Sequence, residues 1–185
     1  MKILQTNQSN TMCSTQSEAE ADTDEPLVLR APSKNDGAAV AKLIRSCPPL
    51  DINSTYAYLL LTEHFAQTCV VATKGAQVVG FISAYQPPSQ EHVLFVWQVA
   101  VHSSMRGQRL ALRMLEHLLQ RTQCQEVRYI ETTVAPDNQA SRRMFQRLAD
   151  QYQTELKELP FFESHHFDEA AQPQTEPLLR IGPIP

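Results

Sequence analysis

The sequence has no Cys-x-x-Cys pair, and its four cysteines (Cys13, Cys47, Cys69, Cys124) fall at no metal-ligand spacing. A chain of 185 residues buries enough surface to fold without disulfide or metal staples. The thiols are therefore read as reduced, and no metal is expected. Long apolar runs are missing too: nothing approaches the roughly 18 apolar residues of a membrane span. The one early base, Lys2, is followed by no apolar leader segment, so the expectation is a cytoplasmic chain with no membrane partner. Basic charge is scarce at the N-terminus, where Lys2 faces Glu18, Glu20, Asp22, Asp24 and Glu25. Large apolar residues are scarce there as well. Residues 1–25 are accordingly expected to form a disordered acidic tail and residues 26–185 a single domain. Glycine is the last shortage, with five in the whole chain, so the placing of each one matters.

The net charge of -4 argues against a general nucleic-acid partner. Its distribution says more. Arg106 to Arg147 hold eight arginines against four acids, whereas residues 148–185 hold two bases against seven acids. One stretch suits an anion and the other a cation, the alternative being two solvated faces.

Periodicity yields a mixed α/β chain. Strands are expected at 27–31, 68–73, 77–85, 92–101 and 127–133, with closing strands at 151–158 and 177–181. Helices are expected at 38–46, 54–66, 107–122 and 138–149. The third helix carries Leu110, Ala111, Met114, Leu115, Leu118 and Leu119 on one stripe. The fourth turns Ala140, Met144, Phe145 and Leu148 inward. The order is β-α-α-β-β-β-α-β-α-β-β, with no internal repeat.

The chemistry concentrates where the strand ending Val99-Ala100-Val101 passes through His102-Ser103-Ser104-Met105-Arg106-Gly107-Gln108-Arg109 into the helix at Leu110-Ala111. A helix N-terminus offers unpaired N–H groups and the positive end of the helix dipole, which together attract an anion. Arg106 and Arg109 add charge, and Gly107 permits close approach of a ligand to the backbone. The bland alternative is a strand-to-helix turn with surface arginines. One strand later, Asn138-Gln139-Ala140-Ser141-Arg142-Arg143-Met144-Phe145 opens another helix, where Asn138 is either a cap or a ligand contact.

Together these two segments resemble the GCN5-related N-acetyltransferase (GNAT) superfamily, whose pattern is Val-x-Val, Arg-x-x-Gly-x-Gly/Ala at a helix start, and Asn-x-x-Ala-x-x-x-Tyr on the next helix. The resemblance implies the GNAT fold, a mixed central sheet with helices on both faces, and acetyl-CoA as co-substrate. It implies that Arg106, Gly107, Gln108, Arg109, Leu110 and Ala111 hold the pyrophosphate, and that Val99, Ala100 and Val101 pair with pantetheine. It further implies that Asn138 touches the pantetheine arm, with Ser141 and Phe145 beside the thioester. Two positions depart from the pattern. Arg109 replaces the middle glycine, so its side chain must point away or contact the cofactor itself. Phe145 replaces a tyrosine that protonates the leaving thiolate in many members, which leaves Tyr152, Tyr129 or water for that step.

A more specific likeness, over about residues 27–183, is to the branch of this superfamily that acetylates L-2,4-diaminobutyrate in synthesis of the compatible solute ectoine, and so in osmoadaptation. It rests on Leu50-Asp51-Ile52-Asn53-Ser54-Thr55-Tyr56, Phe95-Val96-Trp97-Gln98-Val99, Glu131-Thr132-Thr133-Val134 and Leu179-Arg180-Ile181-Gly182-Pro183. The resemblance implies a homodimer and a looser substrate-facing segment around His165 or His166 and Glu169. Selective γ-acetylation needs a partner for the α-ammonium, for which Asp51 and Glu169 are candidates. The substrate carboxylate needs donors, and Asn53, Ser54 and Tyr56 are available, although Asp51 and Ser54 are equally readable as helix caps. Trp97, two residues before Val99, is expected on the same strand face, walling the cleft. Glu131 is the expected base, because an alkylammonium near pKa 10.4 must lose a proton before it attacks. A backbone N–H around Val99 is expected to stabilise the oxyanion. The rivals are acetylation of a polyamine or a protein N-terminus, and a CoA-binding module without catalysis.

Overall fold

The computed structural model describes residues 25–167 and 175–185. The expected tail therefore lies, apart from Glu25, outside the described residues. The strands are β1 (Leu27–Arg30), β2 (Val70–Lys74), β3 (Gln77–Tyr85), β4 (Val93–Val101), β5 (Tyr129–Thr133), β6 (Leu156–Phe162) and β7 (Glu176–Ile181). The helices are α1 (Gly37–Arg45), α2 (Thr55–His64), α3 (Leu110–Leu119) and α4 (Gln139–Gln151). All seven strands join one sheet in the order β1-β2-β3-β4-β5-β7-β6. Among the described residues only the β4–β5 pair is parallel.

Each face of the sheet carries its own core. On one face Leu94, Val96 and Ile130 pack with α3 and α4 through Leu110, Met114, Leu115, Leu118, Phe145 and Leu148. The four α3 side chains are each at most 1% exposed, and a side chain buried to that extent contributes about 2 kcal/mol. On the other face Val71, Phe81 and Ala100 pack with Val40, Leu43 and Ile44 of α1 and Tyr58 and Leu61 of α2. The bidentate pair of Arg30 with Asp36 (2.7 and 2.8 Å) ties β1 to the turn that precedes α1. That guanidinium holds the Asp36 carboxyl below its usual value, with donation from Ser33 assisting.

Five local expectations need correction. The helix expected from 107 starts at Leu110, because Gly107 (φ 76°) and Arg109 (φ 58°) are left-handed and cannot sit inside a right-handed helix. Leu112 takes the buried place expected of Ala111, and Ala140 is exposed. The strand expected over 151–158 begins at Leu156, since α4 runs through Gln151 and the chain turns at Gln153 (φ 53°).

The fifth correction concerns β4, which does not alternate strictly. Its register against β3 passes from Ser83–Gln98 to Ala84–Val96, leaving Trp97 as the extra residue of a β-bulge. Parity reverses there: Leu94 and Val96 face α3 and α4 before the bulge, Val99 and Val101 after it. Trp97 and Val99 therefore lie on opposite faces of the sheet.

Candidate active site

β4 and β5 pair only from Val93–Tyr129 to Phe95–Glu131 and then part. From Val96 onward, the β4 edge toward β5 has no strand beside it among the described residues. The sheet is thus split at its centre, and a cleft lies at the split on each face.

The first cleft belongs to the α3–α4 face. After Val101 the chain makes a single 3-10 turn, Ser103–Met105, which His102 caps by accepting from the Ser104 N–H at 3.3 Å. The two left-handed residues then deliver the chain into α3, whose first-turn N–H groups have no intrahelical partner. A Cβ placed on Gly107 would meet no atom within 4 Å, so the backbone there is open to a ligand. The cleft holds about 310 Å³, lined by Arg106, Gly107 and Arg109 from the turn and by Arg143, Met144 and Arg147 from α4. Leu110, Ala111 and Ala140 also line it. None of these four arginines is ion-paired among the described residues. Open backbone, a helix N-terminus and four uncompensated cations fit the phosphates of a coenzyme A.

Other residues expected at the cofactor do not line this cleft. The Gln108 side chain donates to the Ser104 carbonyl at 3.0 Å. Asn138 caps α4, its Oδ1 accepting from the Ser141 N–H at 3.1 Å. Phe145 is 2% exposed, inside the core against α3. Ala100 is buried on the opposite face, so it offers a ligand only its peptide group. Arg143, Met144 and Arg147 were absent from the sequence-based site. The arginine surplus pointed toward them, but which turn of α4 faces α3 is a matter of packing.

The second cleft, about 660 Å³, lies on the opposite face. Its floor is Phe95, Trp97, Glu131, Thr133, Leu178 and Arg180 from the sheet. Asp51 stands at one side, and Phe161, Phe162 and Phe167 at another. Glu131 is 4% exposed, and its Oε1 accepts from Arg180 Nη1 at 2.7 Å, directly across the β5–β7 pair. The Arg180 guanidinium also stacks on the Tyr129 ring, 4.0 Å from its centroid. Glu176 holds Thr133 Oγ1 at 2.8 Å. Burial pushes the Tyr85 phenol up, which keeps it a donor at this wall.

Of the expected substrate residues, this cleft brings together Asp51, Trp97 and Glu131. Ser54 caps α2 by accepting from the Ala57 N–H at 3.2 Å. Tyr56 is 68% exposed and Asn53 turns its backbone N–H to the Tyr58 hydroxyl at 3.2 Å; neither lines the cleft. His166 folds back on its own turn, its Nδ1 accepting from the Glu163 N–H at 3.0 Å. Glu169 lies outside the described residues. Neither Tyr129 nor Tyr152 lines either cleft. Arg180 and Glu176 were not singled out as site residues, although Arg180 sat inside a quoted segment; its partner is 49 residues away in sequence.

The sequence profile of the acetyltransferase (GNAT) family matches residues 38–149. The chain belongs to that family. The matched span runs from α1 through α4 and includes the split between β4 and β5. Among GNAT relatives, the L-2,4-diaminobutyric acid acetyltransferase of Bordetella parapertussis is 56% identical over 157 residues, 84% of each chain. That of Halomonas elongata is 45% identical over 160 residues, 86% of this chain and 82% of the relative. The GNAT structure of diaminobutyrate acetyltransferase EctA from Paenibacillus lautus, in complex with L-2,4-diaminobutyric acid and coenzyme A, superposes with a TM-score of 0.81. It is 42% identical and covers 86% of this chain and 96% of that one. The ribosomal-protein-S18-alanine N-acetyltransferase of Escherichia coli, at 13% identity and a TM-score of 0.64, shares the GNAT fold. Among the described residues no group of His, Cys, Asp or Glu is arranged to hold a metal ion, and no helix is long and apolar enough to cross a membrane.

Proposed function

We propose that this chain transfers the acetyl group of acetyl-CoA to the γ-nitrogen of L-2,4-diaminobutyrate, the acetylation step of ectoine synthesis. The observation that carries the reading is the pair of clefts on the two faces of the sheet, each with β4 residues in its wall. An arginine-lined cleft suited to phosphates lies on one face, and a carboxylate-bearing pocket of small-molecule size lies on the other. The relatives' substrate, a short diamino acid, supplies the charges this pocket complements.

Acetyl-CoA brings the activated acyl group; the chain supplies position and proton transfer. Arg106, Arg109, Arg143 and Arg147 meet the phosphates, and the unpaired edge of β4 through Val99 and Val101 receives the pantetheine arm. Asp51 takes the α-ammonium, Trp97 walls the pocket, and Glu131 accepts the proton from the γ-ammonium directly or through water. At pH 7.5 roughly one alkylamine in a thousand is unprotonated, so a base within the pocket changes the rate substantially. Arg180 keeps Glu131 oriented and its charge compensated.

The same reading places the reaction in the cytoplasm and in the service of adaptation to osmotic stress. It also includes a homodimer, supported by edge strand β6. That strand leaves Leu159, Phe161 and Phe162 40 to 43% exposed, an apolar surface suited to a second copy.

A thiol-release assay across diaminobutyrate, ornithine, lysine and spermidine, with mass spectrometry of the product, tests the reading. Diaminobutyrate should be preferred and acetylated at the γ-nitrogen. A preference for spermidine, or acetylation at the α-nitrogen, would refute it.

Arg109 provides a separate check on the cofactor cleft. A left-handed non-glycine residue is strained by about 1 kcal/mol, and an arginine there is explained if its side chain meets a phosphate. Arg109→Gly should leave the unliganded protein as stable or up to about 1 kcal/mol more so, while weakening acetyl-CoA binding about fivefold. Thermal melts and calorimetric titration read the two effects. Unchanged acetyl-CoA affinity would mean that Arg109 points away from the cofactor.

A further inference from the structure

The β-bulge at Trp97 has a second effect besides turning the indole into the pocket. By reversing parity it puts the next residue, Gln98, on the same face, beneath the loop that carries Asp51. Gln98 is 5% exposed, and its backbone N–H and both ends of its side-chain amide are engaged in local contacts. Its backbone N–H donates to Ser83 Oγ at 3.1 Å. Its side-chain Nε2 donates to the Asp51 carbonyl at 2.8 Å. Its Oε1 accepts from the Tyr58 hydroxyl at 3.4 Å.

The orientation of the amide follows from the network. The Tyr58 oxygen already accepts the Asn53 N–H at 3.2 Å, so its own proton is free to go to Gln98. The Asp51 carbonyl can only accept, so the amide nitrogen must face it, and the amide oxygen is left to accept the Tyr58 proton. The result is a closed path from the Asn53 N–H through Tyr58 and Gln98 to the Asp51 carbonyl. It grips both ends of the Asp51-Ile52-Asn53 segment. Asp51 and Ile52 are otherwise exposed, Ile52 at 62%, and no helix or strand includes residues 51–53. The segment's backbone position is thus set from below, by one glutamine attached to the strand that also carries Trp97.

We propose that Gln98 is a positioning residue for substrate selection, holding Asp51 at the distance from Trp97 and Glu131 at which its carboxylate meets the substrate's α-ammonium. The proposal rests on the reading of the pocket given above. Gln98 touches neither substrate nor cofactor; it acts through Asp51. A loop released from this grip keeps its carboxylate but samples positions in which the α-ammonium goes unpaired, so selectivity suffers before chemistry does. The cofactor cleft lies across the sheet and is not served by this network.

The test compares diaminobutyrate with 4-aminobutyrate, which retains the carboxylate and the γ-amine but lacks the α-ammonium. In Gln98→Leu, which preserves size and removes both hydrogen bonds, the KM for diaminobutyrate should rise about tenfold. The preference for diaminobutyrate over 4-aminobutyrate in kcat/KM should narrow by a similar factor, with the KM for acetyl-CoA within about twofold of wild type. In an Asp51→Asn background the same substitution should cause no further loss of preference, because the group it positions is already gone. A merely structural glutamine would lower melting temperature and leave the preference intact. That result, or losses that multiply in the double variant, would overturn the proposal. Should Gln98→Leu not fold, Tyr58→Phe releases Asn53 while keeping the bond to Asp51. It should narrow the preference about threefold, and an unchanged preference overturns the proposal equally. A wild-type enzyme with no diaminobutyrate turnover would fail the reading of the pocket itself, and the proposal with it.

Discussion

Glu131→Gln is expected to lower kcat with diaminobutyrate by about 10²- to 10³-fold at neutral pH, the usual worth of a positioned general base. The amide keeps the size of the side chain and an oxygen for Arg180, now 2.7 Å away, and the Arg180 side chain is 31% exposed, so water takes up its charge and folding should be preserved. The acetyl-CoA KM should not change, because the arginine-lined cleft lies on the other face of the sheet. The pH dependence carries the sharper information. Without an internal base, the rate follows the free fraction of the γ-amine, so log(kcat/KM) should climb with unit slope toward the amine's pKa near 10. The defect is therefore largest at low pH and shrinks as pH rises. Steady-state kinetics between about pH 6 and 9 would show this, and a variant that matches wild type throughout would remove Glu131 as the base.

Arg180→Leu should have the largest effect on stability. The pair it breaks is well shielded: the side chains are 31% exposed for Arg180 and 6% for Glu131. Phe95, Trp97 and Leu178 stand around it. Removing one partner strands the other charge, which costs about 3 kcal/mol. The loss of the guanidinium stacked on Tyr129 adds to it. The sign is opposite for the double variant Arg180→Leu with Glu131→Gln, in which neither charge remains. It should recover most of the stability, although not the activity. Urea denaturation of the three proteins decides the matter: a double variant no more stable than Arg180→Leu would show that the stability came from packing rather than from the ion pair.

These two residues also show where reading the chain stops. Glu131 was recognisable as an acid among apolar and hydroxyl residues near a strand end. Arg180 was visible only as part of a family-like ending, since nothing in a linear pattern says that β7 inserts between β5 and β6. The partnership that defines Glu131's environment is created by that insertion. Similarly, Arg106, Gly107 and Arg109 announce an anion site through local chemistry, whereas Arg143 and Arg147 join it only because α4 lies beside the turn. Glu176 stands in the pocket for the same reason, at the start of β7, where it accepts from the Thr133 hydroxyl.

The order of strands and helices followed from the sequence itself, because periods of 2 and 3.6 in apolar residues are local properties that report which face of each element is buried. The strand-to-helix turn at Gly107 was likewise a local signal, carried by a scarce glycine and the charges around it. The tertiary structure decided what depends on register. One extra residue at Trp97 reversed the parity of β4, sent Trp97 and Val99 to opposite faces, and set Gln98 under the Asp51 loop. A bulge leaves no mark on periodicity as long as both faces of the strand are apolar, since either parity then reads equally well. Only pairing with β3 and packing against two different cores selects between them.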